Sequence, residues 1–476
     1  MPSRLASPPP ASASTPLVLC ADGGGSKICV VIRSMDGVEV RGTAGPCNVQ
    51  SVGYGPAIQA ILLATYRALA LLPRTHLPPG LVIPPLDSSV QSIPNSPAST
   101  SPPRTSSTLA VPQPVSVTAH PAHLSISSPA SPFASRPGSP KVHLPPITIP
   151  LFQYVWLGLA GISTKADAKA FMPYVTKHLG VDEPRVKITN DVNLLAAPAL
   201  SLPGIKHVAA VVCGTGTVGR TLEVHRPSTI NGGPSAVHAL PLEDVAVSRG
   251  WGYMLCDEGS AFWLGRLAIR SLLFTADRLS SSPIYAAAAR PLLPLHNDLL
   301  AYFGVPHPMD LISIVSLTGP FVEGLSVGEA TAKRNAFMAG AARVVFKWAF
   351  PEDAGTTVPP SPPASDGSAS SFSHTLDSQP NDDDPVAASH AEALRLARSA
   401  VRSLIELTID LLGDGSIVRP ENTALALGGG LWMSKGYRNL LLEGLRKEGV
   451  VFRETVVVGD AAGAGAAGLA KVEFGE

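Results

Sequence analysis

Asp22 stands at the end of an apolar run, immediately before Gly23-Gly24-Gly25-Ser26-Lys27. Three consecutive glycines let a backbone turn tightly and present several N–H groups to one anion. Ser26 adds a hydroxyl donor, and the Asp22 carboxylate is placed to face a hydrated metal ion. Two more turns repeat the theme: Cys213-Gly214-Thr215-Gly216-Thr217 and Leu427-Gly428-Gly429-Gly430-Leu431. None fits the phosphate loop with its Lys-Ser/Thr ending or the dinucleotide fingerprint. Any one of them reads equally well as a hairpin turn. Three in one chain, the first led by an acid, point to phosphate handling.

A second carboxylate, Asp191, lies in Thr189-Asn190-Asp191-Val192-Asn193, where a short apolar strand gives way to a helix. Asp there is ordinarily an N-cap. Asn190 can take that role, which leaves Asp191 free to point into a cleft as a general base. Gly250-Trp251-Gly252 leads into Asp257-Glu258-Gly259-Ser260 and an amphipathic helix. The acids there read either as first-turn residues favoured by the helix dipole or as ligands, and Trp251 as core or platform. Asn48 sits in a turn, Gly45-Pro46-Cys47-Asn48. The histidines are scattered without metal spacing, and the five cysteines form no C-x-x-C pair, so a zinc or iron–sulfur site is not suggested.

The elements that must position these groups occupy only part of the 476 residues. With 47 Pro and 15% charged residues, about twice the average Pro content, part of the chain is expected to stay unfolded. The excess lies in two stretches, 73–150 and 351–390, read as disordered insertions, with residues 1–15 as a tail. Ile147 to Leu151 could extend a neighbouring strand. About 340 residues remain, more than one core comfortably covers. They read as three β-runs (Leu17 to Ala21, Ile28 to Arg33, Val38 to Thr43), a helix from Gly55 to Leu72, then strand–helix alternation from Tyr154 to Val192. A similar cycle restarts at Val208, with a second strand from Val218, helices near Ser260 to Leu273 and Ala332 to Phe350, and further alternation from Ala391 onward. Two α/β lobes of related topology, 16–204 and 205–476, with a binding cleft between them, follow. The 36 basic residues balance the 36 acidic ones, which argues against a nucleic-acid partner. With no apolar run of membrane-spanning length and no signal-like start, a cytoplasmic protein that does not engage membranes is expected.

In order along the chain, Asp22-Gly23-Gly24-Gly25-Ser26-Lys27, Gly158-Leu159-Ala160-Gly161, Thr189-Asn190-Asp191, Gly214-Thr215-Gly216-Thr217 and Gly250 to Ser260 resemble the N-acetylglucosamine kinases of the BadF-type ATPase family, in the actin-like ATPase/sugar kinase superfamily. The resemblance covers the chain apart from its tail and insertions. It implies two ribonuclease-H-like lobes closing on ATP and a small-molecule sugar. Asp191 matches the catalytic base and is itself a sugar contact. Asn48, Asp257 and Gly250-Trp251-Gly252 match sugar-binding positions, with Thr217 and Val218 where sugar and phosphate meet. Gly24, Gly25, Ser26, Lys27, Gly214, Thr215 and Gly216 match the ATP phosphate contacts. Gly429, Gly430 and Ser434 fall on the adenosine side, and Thr318 aligns loosely with a nucleotide-side position. Asp22 would hold Mg²⁺ through water. Ser26 and Thr217 depart from the usual Thr and Ser but keep a hydroxyl. Cys256 replaces the usual Gly, which carries strain if that position needs a positive φ.

The resemblance implies phosphorylation of the N-acetylglucosamine 6-hydroxyl, which asks mainly for positioning and charge stabilisation. Alternatives are a kinase for glucosamine, N-acetylmannosamine or glucose, and a catalytically idle sugar-binding regulator. The family's dehydratase-activating ATPases use a bridging iron–sulfur cluster, for which these cysteines lack clustering. The sequence does not give the oligomeric state; a homodimer is common among similar kinases.

Overall fold

The computed structural model describes residues 15–86, 143–225, 240–255, 257–287, 291–355 and 384–475. Both sheets of the fold belong to one compact unit, Met1–Ile83 with Pro146–Glu476, while Pro84–Pro145 is a second. The first sheet has the order β3-β2-β1-β4-β5 and is built from β1 (Leu17–Gly23), β2 (Ile28–Ser34), β3 (Glu39–Ala44), β4 (Phe152–Leu159) and β5 (Val186–Thr189). The first three strands form an antiparallel meander, and β4 and β5 add on in parallel. The second sheet repeats this plan. It runs β8-β7-β6-β9-β10, from β6 (His207–Cys213), β7 (Thr217–Val224), β8 (Leu242–Arg249), β9 (Thr423–Gly428) and β10 (Glu454–Val458). Again the meander is antiparallel and the last two strands are parallel. The chain is therefore an α/β protein of two lobes with the same ribonuclease-H-like strand order.

Helices cover the sheets in chain order. The first lobe carries α1 (Val49–Val52), α2 (Tyr54–Leu69) and α3 (Lys165–Leu179). The second carries α4 (Ala261–Leu279), α5 (Pro283–Ala287), α6 (Pro294–Phe303), α7 (Leu311–Val315), α8 (Val327–Gly340), α9 (Ala342–Ala349), α10 (Pro385–Asp410), α11 (Lys435–Lys447) and α12 (Ala461–Phe474). The residues from Asp191 to Ser201 form a 3₁₀ helix whose apolar side chains are nearly all buried. They lie in a core shared by the two sheets, with Val18 and Cys20 of β1, Trp156 of β4, Ala210 of β6, Leu222 of β7 and Ala426 of β9. A second core, on the other face of the second sheet, packs Val211, Leu425 and Leu427 against α4, α10 and α11.

α12 does not stay with the strand that precedes it. It packs on β1, β2, β4 and the 3₁₀ helix. Its glycines permit this approach: a Cβ on Gly465 would lie 2.3 Å from Cys20 Sγ, and one on Gly468 3.1 Å from Ala197 Cβ.

The expected insertions are narrower at their described ends. Arg74–His76 is a 3₁₀ turn whose buried His76 bonds Asp36, and Ile147 is buried with its amide on the His178 carbonyl. Ile147 to Leu151 do not extend a strand, since β4 begins at Phe152. At the second stretch, Asp384 caps α10 and Pro385 opens it, so residues up to 390 are helical. The tail to residue 14 and the segments 87–142 and 356–383 lie outside the described residues.

Candidate active site

Each glycine turn sits at the end of a buried strand, and in each one glycine is demanded by packing. A Cβ on Gly23 would come within 2.6 Å of Leu159, one on Gly216 within 2.9 Å of the Asp257 carboxylate, and one on Gly429, at φ 102°, within 2.5 Å of the Cys213 carbonyl oxygen. The last contact presses the third turn onto the second. At Gly25, Gly214 and Gly430, by contrast, an added Cβ meets nothing within 4 Å. These positions leave open space that the fold does not fill. Gly24 N–H donates to the Lys27 carbonyl, closing the first turn, and Ser26 and Lys27 are exposed.

Asp22, in β1, and Asp191, just after β5, lie close enough for the charge of one to act on the other. β1 and β4 run in parallel, pairing Asp22 with Gly158, and Gly158 pairs with Thr189 of β5, so the Asn190-Asp191 turn comes up beside Asp22. Burial, then the neighbouring charges of Asp191 and Asp460, push the Asp22 carboxyl up from 3.8 to about 6. Burial also raises Asp191, opposed by its bond from the Val192 amide and by the Arg220 guanidinium. Asn190 takes the cap, accepting from Val192 N–H at 3.2 Å while its Nδ2 donates to the Ile162 carbonyl at 3.0 Å. Asp191 Oδ1 shares the same Val192 N–H at 3.1 Å, which leaves its second oxygen for a ligand.

Asn48 caps α1. Its Oδ1 accepts from the amides of Gln50 and Ser51 at 3.1 and 3.2 Å, which leaves Nδ2 as the group free to act on a ligand. The Gly161 turn abuts it, since a Cβ on Gly161 would lie 2.6 Å from Asn48 Oδ1. Asp257 is buried in a left-handed conformation at φ 65° and accepts from the Thr217 amide at 3.0 Å. Burial raises its carboxyl. It therefore clamps the second glycine turn with one oxygen. The same turn is zipped to the 257–261 segment by Ala261 N–H on the Gly214 carbonyl and by Cys213 Sγ–H on the Gly259 carbonyl at 3.2 Å. Cys256 lies outside the described residues; the positive φ falls on Asp257 and on Gly250, Gly252 and Gly259.

Gly250 packs on Val218, and Trp251 is 68% exposed beside the equally open Met254 and Leu255. Ser434 is the N-cap of α11, with its hydroxyl accepting from Tyr437 N–H and donating to Asp353 at 2.6 Å. Thr215 flanks the second turn in the open. Thr318 lies in an exposed turn after α7, and its bonds go to the Ser313 carbonyl and the Ser316 hydroxyl, within its own turn.

Three residues of this region escaped the sequence reading. Asp460 follows the last strand by two residues, caps α12 through Gly463 N–H, pairs with Arg41 at 2.5 Å and adds negative charge beside Asp22. Its position in Gly459-Asp460 before an Ala/Gly helix is a legible cap signal. Arg220 and Asp353 carry no local motif; only the tertiary fold brings them in.

No protein-family model and no curated protein matches this chain in sequence. Solved structures do resemble it. One from Chromobacterium violaceum, described as a candidate N-acetylglucosamine kinase, matches over 96% of this chain and 100% of that one, at 16% identity and a TM-score of 0.44. A Porphyromonas gingivalis protein of the same description matches over 97% and 99%, at 14% identity and 0.49. Component A of the Acidaminococcus fermentans (R)-2-hydroxyglutaryl-CoA dehydratase matches over 97% and 98%, at 11% identity and 0.33. These are similarities in the course of the chain.

Proposed function

We propose that this chain is an ATP-dependent sugar kinase of the BadF type that phosphorylates N-acetyl-D-glucosamine on its 6-hydroxyl. The observation that carries the reading is the electrostatically coupled pair Asp22 and Asp191 beside a glycine turn with unfilled space. The ordered motifs support it independently. The residues fit Mg-ATP: the carboxylates of Asp22, Asp191 and Asp460 raise one another's proton affinity, as expected of acids awaiting a cation. Among the described residues no three acidic, His or Cys side chains converge as direct metal ligands, so Asp22 would hold the ion through its water shell. Bound Mg-ATP supplies the phosphoryl group and neutralises charge on it.

The chain's own residues supply the rest. Gly24 and Gly214 spend their N–H groups closing their own turns, so the backbone amides of Gly25 to Lys27 and of Thr215 and Gly216 donate to phosphate oxygens, with Ser26 and Thr215 hydroxyls adding donors. Asp191 accepts the proton of the sugar hydroxyl; its burial raises its basicity toward that task. Asn48 can only donate, through Nδ2, and Asp257 can only accept, through its second oxygen, so the two read opposite faces of sugar hydroxyl groups. Thr217 and Val218 lie between them and the phosphate turn, and Gly250-Trp251-Gly252 provides an apolar wall. Gly429, Gly430 and Ser434 face the adenosine side, with the Ser434 hydroxyl acting through its cap; Thr318 would reach the nucleotide only if its turn moves.

The test is sugar-dependent ADP release with Mg-ATP, across N-acetylglucosamine, glucosamine, N-acetylmannosamine and glucose. A preference for N-acetylglucosamine is expected. Preference for another member would move the substrate, and ADP release with none of them would end the kinase reading.

A further inference from the structure

Strand β7 alternates between two environments. Gly219 and Thr221 face α10, where Gly219 touches Leu407 and Leu411 and the Thr221 hydroxyl donates to the Leu411 carbonyl at 2.6 Å. Leu222 faces the other way, into the core shared by both lobes, as do its cross-strand partner Val208 and Ala210, the partner of Arg220. Pattern alone would put an apolar residue at position 220. It holds an arginine instead, only 5% exposed. A buried guanidinium is costly unless its donors are matched, and a well-packed apolar side chain would often serve stability as well. Here the match is partial. Nη1 donates to Asp244 Oδ1 at 3.2 Å and Nη2 to the Ser163 carbonyl at 3.2 Å, while Nε is buried without a hydrogen-bond partner among the described residues. Hydrogen bonding leaves this buried charge incompletely compensated.

The contacts of Arg220 enclose one turn. Asp244 Oδ1 also accepts from Asn193 Nδ2 at 3.0 Å, two residues beyond Asp191. The Ser163 carbonyl adjoins the Ile162 carbonyl that holds Asn190, one residue before Asp191. Arg220 itself lies three residues beyond Thr217, where the second glycine turn ends. We propose that Arg220 is a positioning residue: by bonding Ser163 directly and Asn193 through Asp244, it fixes the turn that carries Asp191 against the strand that carries the second glycine turn. The base and the phosphate turn, on different lobes, are thereby held in one register. The inference rests on the reading of Asp191 as the base. A shift of about 1 Å in a reacting group can lower a rate about 100-fold.

The test measures kcat, KM for N-acetylglucosamine, sugar affinity by calorimetry and Tm for Arg220→Met, Arg220→Lys and Asp191→Asn, in the full chain with Mg-ATP. For Arg220→Met we expect kcat to fall about 100-fold while KM and sugar affinity stay within a few-fold. Arg220→Lys should recover part of the loss, because it keeps the charge and one bond but not the fork. In the Asp191→Asn background, Arg220→Met should cost nothing further, since its effect runs through Asp191. Wild-type kcat in Arg220→Met, or losses that multiply with Asp191→Asn, would overturn the proposal. So would a kcat loss matched by equal changes in KM and Tm, which marks a residue of structure alone. If the Met variant does not fold, Arg220→Lys decides: full wild-type kcat there counts against the proposal, and reduced kcat at unchanged KM supports it. Turnover near the wild-type rate in Asp191→Asn overturns the base itself, an outcome distinct from a strongly impaired Asp191→Asn with a fully active Arg220→Met.

Discussion

Asp22 and Asp191 pose a single electrostatic problem that two variants can separate. Asp191→Asn keeps the shape of the turn and its cap on Asn190 but removes the proton acceptor. It is expected to lower kcat by about 10²–10⁴-fold while leaving calorimetric sugar affinity within a few-fold; turnover near the wild-type rate would remove Asp191 from the chemistry. Asp22 is best tested without metal, by stability against pH. Its carboxyl titrates near 6 in the folded chain against 3.8 in an ordinary environment. A folded value raised in this way means that the stability associated with the protonated form is complete below about pH 4 and lost as pH rises through 6. The difference is at most roughly 3 kcal/mol. Urea unfolding in chelator should show the native chain losing stability between pH 4 and 7 and Asp22→Asn losing markedly less. Parallel curves would show that the fold does not burden Asp22. At this scale the sequence was informative where a motif brings its own neighbours, as with Asn190 capping for Asp191. It was silent on Arg220 and Asp353, whose partners lie far off in the chain.

Among the elements, the tightest fit is α12 on β1. Gly465→Ala gains helix propensity of up to about 1 kcal/mol but drives a Cβ to 2.3 Å from Cys20 Sγ. Overpacking of this kind costs about 1–3 kcal/mol, so a net loss of stability is expected in urea. Pairing it with Cys20→Ala, which removes the sulfur, should return most of the loss, and a strictly additive double variant would refute the packing account. Element positions were legible wherever a period met a terminus signal: β2 and α2, Ile28–Ser34 and Tyr54–Leu69, lie close to the expected Ile28 to Arg33 and Gly55 to Leu72. Three departures have physical causes. α10 begins six residues before the expected Ala391, because Asp384 and Pro385 form a cap and first turn inside a stretch that looked only Pro-rich and acidic. The helix expected from Ala332 to Phe350 is divided into α8 and α9 at Ala341, where local pattern shows no break. β8 was missed because Leu242–Arg249 is an edge strand with Val245 and Val247 left exposed, so burial gave it no clear alternation.

For the molecule as a whole, the two Pro-rich stretches are joined to the fold at identifiable points. His76 on Asp36 and Ile147 on the His178 carbonyl secure the residues on either side of 87–142. Replacing 87–142 with a short Gly/Ser bridge should therefore leave kcat and KM within a few-fold, whereas a deletion starting at Arg74 would also remove the His76 contact and is expected to lower Tm. Complete loss of activity in the shorter deletion would show that the segment has a part in the site. The duplicated strand order was visible in advance as a repeated rhythm of strands followed by alternation. The crossing of α12 was not, since nothing in an Ala/Gly-rich helix names the sheet it will cover. That crossing has a consequence for biosynthesis. The strands of the first sheet leave the ribosome well before α12, which roofs them, so that sheet must wait, incompletely covered, until α12 has emerged, and is the part most dependent on chaperones in the interval.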